Sequence, residues 1–131
     1  MSAYYRKDLY MLFEKSFKNC TTCNFKWRAR EEFLTDPSVE LVGYQVSFDE
    51  LLLGLFLFNH KCGTTLAIPV NKLRDLYNGP IYSERKTGGP ECPGYCLRKS
   101  ELRPCPAQCE CAWIRELIQI ISSIKKAAPK R

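Results

Sequence analysis

Eight cysteines in 131 residues, set out as two groups of closely spaced side chains, constrain this chain more than its hydrophobic pattern does. The first group is Cys20-x-x-Cys23 with His60-x-Cys62, separated by 36 residues, and His60 is the only histidine. The second is Cys92-x-x-x-Cys96 followed by Cys105-x-x-x-Cys109-x-Cys111. Cysteines this dense form disulfides in an oxidising compartment and bind metals in a reducing one. The opening stretch "MSAYYRKDLYMLFEKSFKNC" lacks the basic start, apolar stretch and small-residue cleavage site of a secretory signal. The expectation is therefore a cytoplasmic protein whose thiols are metal ligands.

The length suits a single domain, 1–131, that can bury a real core, and a hydrophobic fraction of 45% argues against disorder. The longest apolar run, "LLLGLFLF" at 51–58, is far short of the about 20 residues that cross a membrane. It reads as core or strand, and no membrane partner is expected. The formal charge of +6 suggests a nucleic-acid partner until metal is counted. Two zinc sites, one with three thiolates and a neutral histidine and one with four thiolates, lower the sum to about +3. Part of the remainder lies in the tail "KKAAPKR", so nucleic acid is not the favoured partner.

Along the chain, Tyr5, Leu9, Leu12, Phe13 and Phe17 recur at helical spacing and predict an amphipathic helix over 4–19. "VELVGYQVSF" alternates, with Val39, Leu41 and Gly43 on one face and Val42, Tyr44, Val46 and Phe48 on the other, which predicts a strand. "LGLFLFN" at 53–59 and "TTLAIPV" at 64–70 supply two more, with His60 and Cys62 in the turn between them. Val70, Leu73, Leu76 and Tyr77 share the face of a short helix stopped by Asn78-Gly79-Pro80. A loop over 78–91 separates a first half, 1–78, from a cysteine-rich second half, 79–131. A closing helix from about 110 to 126 aligns Trp113, Leu117, Ile120, Ile121 and Ile124.

Cys-x-x-Cys suits zinc because one tight turn brings two sulfurs to the same side of the backbone, about 2.3 Å from a shared metal. A second pair from a distant turn completes the tetrahedron. Over residues 18–70 this arrangement resembles the zinc-ribbon family, in which two turns at the tips of β-hairpins clamp one structural zinc. The resemblance implies Cys20, Cys23 and Cys62 as ligands, with Gly63 where such turns often place glycine. It departs from the family at the second turn, whose usual spacing of three would pair Cys62 with Asn59. Either His60 fills the fourth position, giving a closed structural shell, or zinc keeps an open position beside His60 that can activate water.

The second group admits several readings. Cysteines four apart on two helices can be bridged by disulfides, but that requires an oxidising compartment. Pro93, Pro106 and Gly94 oppose regular helix and favour irregular loops whose N–H groups point at sulfur, as in a second zinc site or an iron–sulfur cluster. Zinc is favoured, because the ferredoxin run Cys-x-x-Cys-x-x-Cys is absent. Of the five, Cys92, Cys96, Cys105, Cys109 and Cys111, only four are needed, and Cys109 and Cys111 compete for one place.

Elsewhere there is little machinery for catalysis. The only histidine is taken by metal, Glu31 and Glu32 are sequence neighbours that face apart, and no phosphate-binding glycine loop is present. In "KWRAR" at 26–30, Trp27 covers the metal site and the arginines are solvated, with base stacking as the sharper alternative. "LYNGPIYSERKTGGP" offers a surface for a protein partner. The expected protein is α+β: a small antiparallel zinc-ribbon-like sheet with flanking helices and a Cys-rich C-terminal segment ending in a helix. Its expected role is a small intracellular zinc-binding module or subunit without catalysis. The alternatives are a redox or sensing protein with an iron–sulfur cluster or reactive thiols in the second group, and an enzyme with an open metal site at His60.

Overall fold

The computed structural model describes residues 16–127, so most of the helix expected over 4–19 lies outside the described residues. The end that is described is extended. β1 (Lys18–Asn19) pairs antiparallel with β2 (Lys26–Trp27), Lys18 opposite Trp27. The Cys-x-x-Cys turn between them imposes this: the Cys20 N–H donates to the Phe25 carbonyl at 2.8 Å and the Asn24 N–H to the Cys20 carbonyl at 2.7 Å. A turn closed in this way needs extended flanks, and Asn24 takes the left-handed φ of 65° that asparagine tolerates. A short helix, α1 (Arg30–Leu34), follows, with Glu31 and Glu32 near its positive N-terminal end and Phe33 and Leu34 buried.

The larger sheet is antiparallel in the order β3 (Val39–Gln45), β4 (Leu55–His60), β5 (Thr65–Pro69). All three strands were legible, β3 by alternation and the other two as short apolar segments, but the facing of β3 was not. Leu41 pairs with Phe58 and Gly43 with Leu57, which leaves Val42 as an extra residue. This bulge switches the parity of the strand. Val39, Leu41 and Tyr44 are consequently all buried, whereas simple alternation assigned Tyr44 to the face opposite Leu41.

Beyond β5 the expected helix over 70–77 is two 3-10 turns, Val70–Lys72 and Arg74–Leu76. Its apolar residues still face inward, with Val70 and Leu73 fully buried. Among the described residues there is no helix or strand from Tyr77 to Gly94. A single 3-10 turn, Tyr95–Leu97, then leads towards α2 (Ala112–Ala127). The buried stripe of α2 runs through Ile114, Leu117, Ile118 and Ile121, with Ile120 and Ile124 at its edge. One continuous core joins this stripe to Phe33, Phe56, Phe58, Leu66 and Ile68, so the stretches before and after the 78–91 loop share their apolar interior. Lys125 reinforces the junction, its ammonium donating to the carbonyls of Phe33 and Leu34 at 3.2 and 3.1 Å over the ring of Phe58. Among the described residues, no helix is long and apolar enough to cross a membrane.

The bulge has a second function in packing. The Tyr44 N–H donates to the Lys99 carbonyl at 2.8 Å, bringing the backbone of the cysteine-rich stretch against β3 at Gly43. A Cβ at Gly43 would lie 2.9 Å from that carbonyl and 3.3 Å from Leu57 Cδ1. Gly43→Ala is therefore expected to destabilise the protein by about 1–3 kcal/mol through overpacking. Urea unfolding should show a lower midpoint with an unchanged slope.

Candidate metal centre

The first cysteine group is assembled. Cys20, Cys23, His60 and Cys62 each offer one donor atom, and all four atoms lie within 4.8 Å of one another. Cys20 Sγ is 3.5 Å from Cys62 Sγ, Cys23 Sγ is 3.7 Å from His60 Nδ1, and His60 Nδ1 is 3.3 Å from Cys62 Sγ. A tetrahedral zinc with ordinary bond lengths separates two sulfurs by about 3.8 Å and a sulfur from a nitrogen by about 3.6 Å. The three edges just given fall within about 0.3 Å of those of such a tetrahedron.

Strand parity explains why the fourth donor is His60 rather than the residue before it. β4 alternates so that Phe56, Phe58 and His60 are buried, while Asn59 is exposed and accepts a hydrogen bond from the Thr65 hydroxyl at 2.9 Å. The second turn then closes tightly, the Gly63 N–H donating to the His60 carbonyl at 2.8 Å, with Gly63 at φ 94°. That conformation favours glycine over any residue with a Cβ. Trp27 stacks edge-on against His60 with centroids 5.0 Å apart, and its indole N–H donates to Asp36 Oδ2 at 2.8 Å. Asp36 Oδ1 accepts from the Ser38 N–H and hydroxyl. Beside His60, a groove of about 580 Å³ is walled by Phe25, Trp27, Asp36 and Lys61.

The electrostatics of the group favour one thiolate before any metal is counted. The backbone N–H of Cys23, opposed by burial and aided by His60, lowers Cys20 to about 6. Cys23 moves upward. The Phe25 N–H lowers it, but burial and the neighbouring Cys20 and Cys62 outweigh that donor. Asp36 is held below the usual carboxylate range, because the donors from Ser38 and Trp27 overcome the opposing effect of burial.

The second group is brought together differently. Cys96 and Cys111 have sulfurs 3.3 Å apart, and Cys111 donates to Cys109 at 3.5 Å. These three are buried, whereas Cys92 and Cys105 are half-buried. Among the described residues, the first group alone has three or more donor atoms converging within 4.8 Å. The Lys86 N–H donates to Cys109 Sγ at 3.1 Å, and the Gly94 N–H to Cys92 Sγ at 3.4 Å. The hydrogen bond from Cys111, against the effect of burial and with help from Arg115, lowers Cys96 to about 7. Cys111 is pushed strongly upward by Cys96 and by burial. Burial also raises Cys105.

Three contributors were not visible as site residues in the sequence: Asp36, the Lys86 backbone and Arg115. Arg115 interrupts the apolar run of α2 and is fully buried, which its position among Trp113, Ile114, Leu117 and Ile118 hints at. Of the basic "KWRAR" stretch, Arg30 is committed to Asp75 through contacts of 2.6 and 3.0 Å. No protein-family model, curated protein or solved structure matches the chain.

Asp36→Asn should weaken the lock on Trp27 and cost about 1 kcal/mol at neutral pH. Because the folded Asp36 is depressed, its contribution is complete above the unfolded value of about 4 and is lost as pH falls through the lower folded value. Thermal melts should show the difference between the two proteins at pH 7 shrinking below about pH 4.

Proposed function

We propose that this chain is a non-catalytic binding or assembly module whose zinc-ribbon-like tip is fastened by zinc at Cys20, Cys23, His60 and Cys62. The observation that carries the reading is the convergence of four protein donors within 4.8 Å, with three of the separations close to the edges of a tetrahedron. Three sulfurs and an imidazole suit zinc among the common divalent ions. When the protein fills all four positions, none is left for the water that a catalytic zinc activates, which supports a structural role over an enzyme with an open site.

A protein partner is the occupant we assign to the rigid tip. Phe25 is 49% exposed at its edge, next to the groove by His60, and a metal-clamped turn holds such a side chain at low entropic cost. The compartment that fits the reading is a reducing one, where the thiols stay free to bind metal.

Elemental analysis and metal titration test the centre. The chain should bind zinc at the first group, and a chelator should melt the β1–β2 hairpin and the β4–β5 turn, because metal binding is part of their folding free energy. Loss of a partner hydrogen-bonded to a ligand typically costs 10–100-fold in affinity, so loss of a ligand should cost at least about tenfold. His60→Ala is therefore expected to weaken zinc binding by that much and to lower the melting temperature. Unchanged affinity in that variant would remove His60 from the shell and reopen the catalytic reading.

A further inference from the structure

We propose that the second cysteine group is an iron–sulfur cluster site, with Cys92, Cys96, Cys105 and Cys109 as ligands and Cys111 as a thiol that donates its one hydrogen bond to a ligand sulfur. The four ligands come from one five-residue pattern used twice, Cys92-Pro-Gly-Tyr-Cys96 and Cys105-Pro-Ala-Gln-Cys109. Each proline fixes φ and removes an N–H, which keeps both segments out of regular helix. The free N–H groups around them are available to sulfur instead.

The first group serves as an internal standard for what a single ion requires. There, four donors close to within 4.8 Å, whereas no three sulfurs of the second group do so. The spread is still ordered. Cys111 touches both Cys96 and Cys109, with contacts of 3.3 and 3.5 Å, which keeps those two sulfurs in one small region. A cluster with several irons places its cysteine ligands around a larger body than one zinc does, and four thiolates hold it.

The surroundings are those of an anionic centre. Cys109 accepts from the Lys86 N–H and faces the Thr87 hydroxyl at 4.0 Å, and Cys92 accepts from the Gly94 N–H. Gly94, at φ 80°, directs that N–H in a conformation a residue with a Cβ rarely adopts. Arg115 supplies the compensating cation. It is fully buried on α2, its Nε donates to the Arg103 carbonyl at 2.9 Å, and Nη2 donates to the Glu101 carbonyl. Among the described residues, no carboxylate pairs with it and its Nη1 has no partner. A buried guanidinium in that position is costly unless negative charge lies beside it. Besides the two carbonyls, Arg115 has the Tyr95 ring as a partner, 5.6 Å from its Cζ, and cluster thiolates would supply the negative charge that these neutral groups do not.

This inference goes beyond the zinc reading of the first group, and zinc content tracks that reading independently in the same sample. The test uses the full chain, purified anaerobically and reconstituted with ferric iron and sulfide in the presence of a thiol that reduces as much of the iron as the cluster requires. The expected product is brown, with broad visible absorption, equal amounts of iron and acid-labile sulfide, and its zinc unchanged. Cys105→Ser should lose at least most of the iron while keeping zinc, and Cys92→Ser, from a half-buried loop position, should do the same. Cys111→Ala should keep the iron. A colourless chain with zinc in both groups, or one that takes up no iron on reconstitution, overturns the proposal. Loss of iron in Cys111→Ala together with its retention in a Cys109→Ala variant overturns the ligand assignment.

Discussion

The inward turn of His60 at the end of β4 is what allows two distant backbone turns to share one centre. Cys20 and Cys23 lie on a turn that can be built locally, and so does Cys62. They meet because antiparallel pairing with β3 fixes the register of β4, Val39 opposite His60, and so fixes which side of the strand its last residue faces. A slip of one residue would turn Asn59 inward and His60 out to solvent. The metal-free donors are also self-limiting: with Cys20 lowered and Cys23 raised, the group favours one thiolate over several. A bound doubly charged ion would reverse that preference, since bound thiols are deprotonated. The register brings the four donor atoms together, and a bound ion would remove the repulsion that keeps them from all ionising.

The same strand organisation joins the two cysteine groups. The bulge at Val42 puts Leu41 and Tyr44 on one face and exposes Gly43 to close approach by Lys99. Cysteines of both groups therefore border one continuous apolar interior. Lys125 ties the far end of α2 to α1, and burial lowers it to about 8. That lysine sits at the C-terminal end of α1, where its donors satisfy carbonyls that a five-residue helix leaves unpaired.

Much of this was legible in the sequence because the signals were local. Alternation marked β3, short apolar segments marked β4 and β5, the 3.6-residue stripe marked α2, and cysteine spacing nominated the four residues whose donor atoms converge. The failures arose where a non-local constraint decided. Lys18 and Asn19 fall at the end of a helical pattern but are extended, since the Cys-x-x-Cys turn that follows requires a hairpin. Val70–Tyr77 keeps its inward face yet tightens into 3-10 turns. A single extra residue in β3 cannot be read from alternation, because its only trace is the pairing with β4. Arg115 and Asp36 escaped for a related reason: each acts through a neighbour that only the folded chain supplies.

Trp27 and Trp113 fall at different places in this arrangement. Trp27 sits edge-on to His60, one ring away from the first centre, while Trp113 follows Cys111 by two residues and lies under the Arg74 guanidinium at 4.7 Å. Both indoles are nearly excluded from solvent. The chain thus carries its own pair of optical probes, one beside each cysteine group. Emission from the two, separated by replacing either indole with phenylalanine, gives a readout of how occupancy at one end of the molecule is felt at the other.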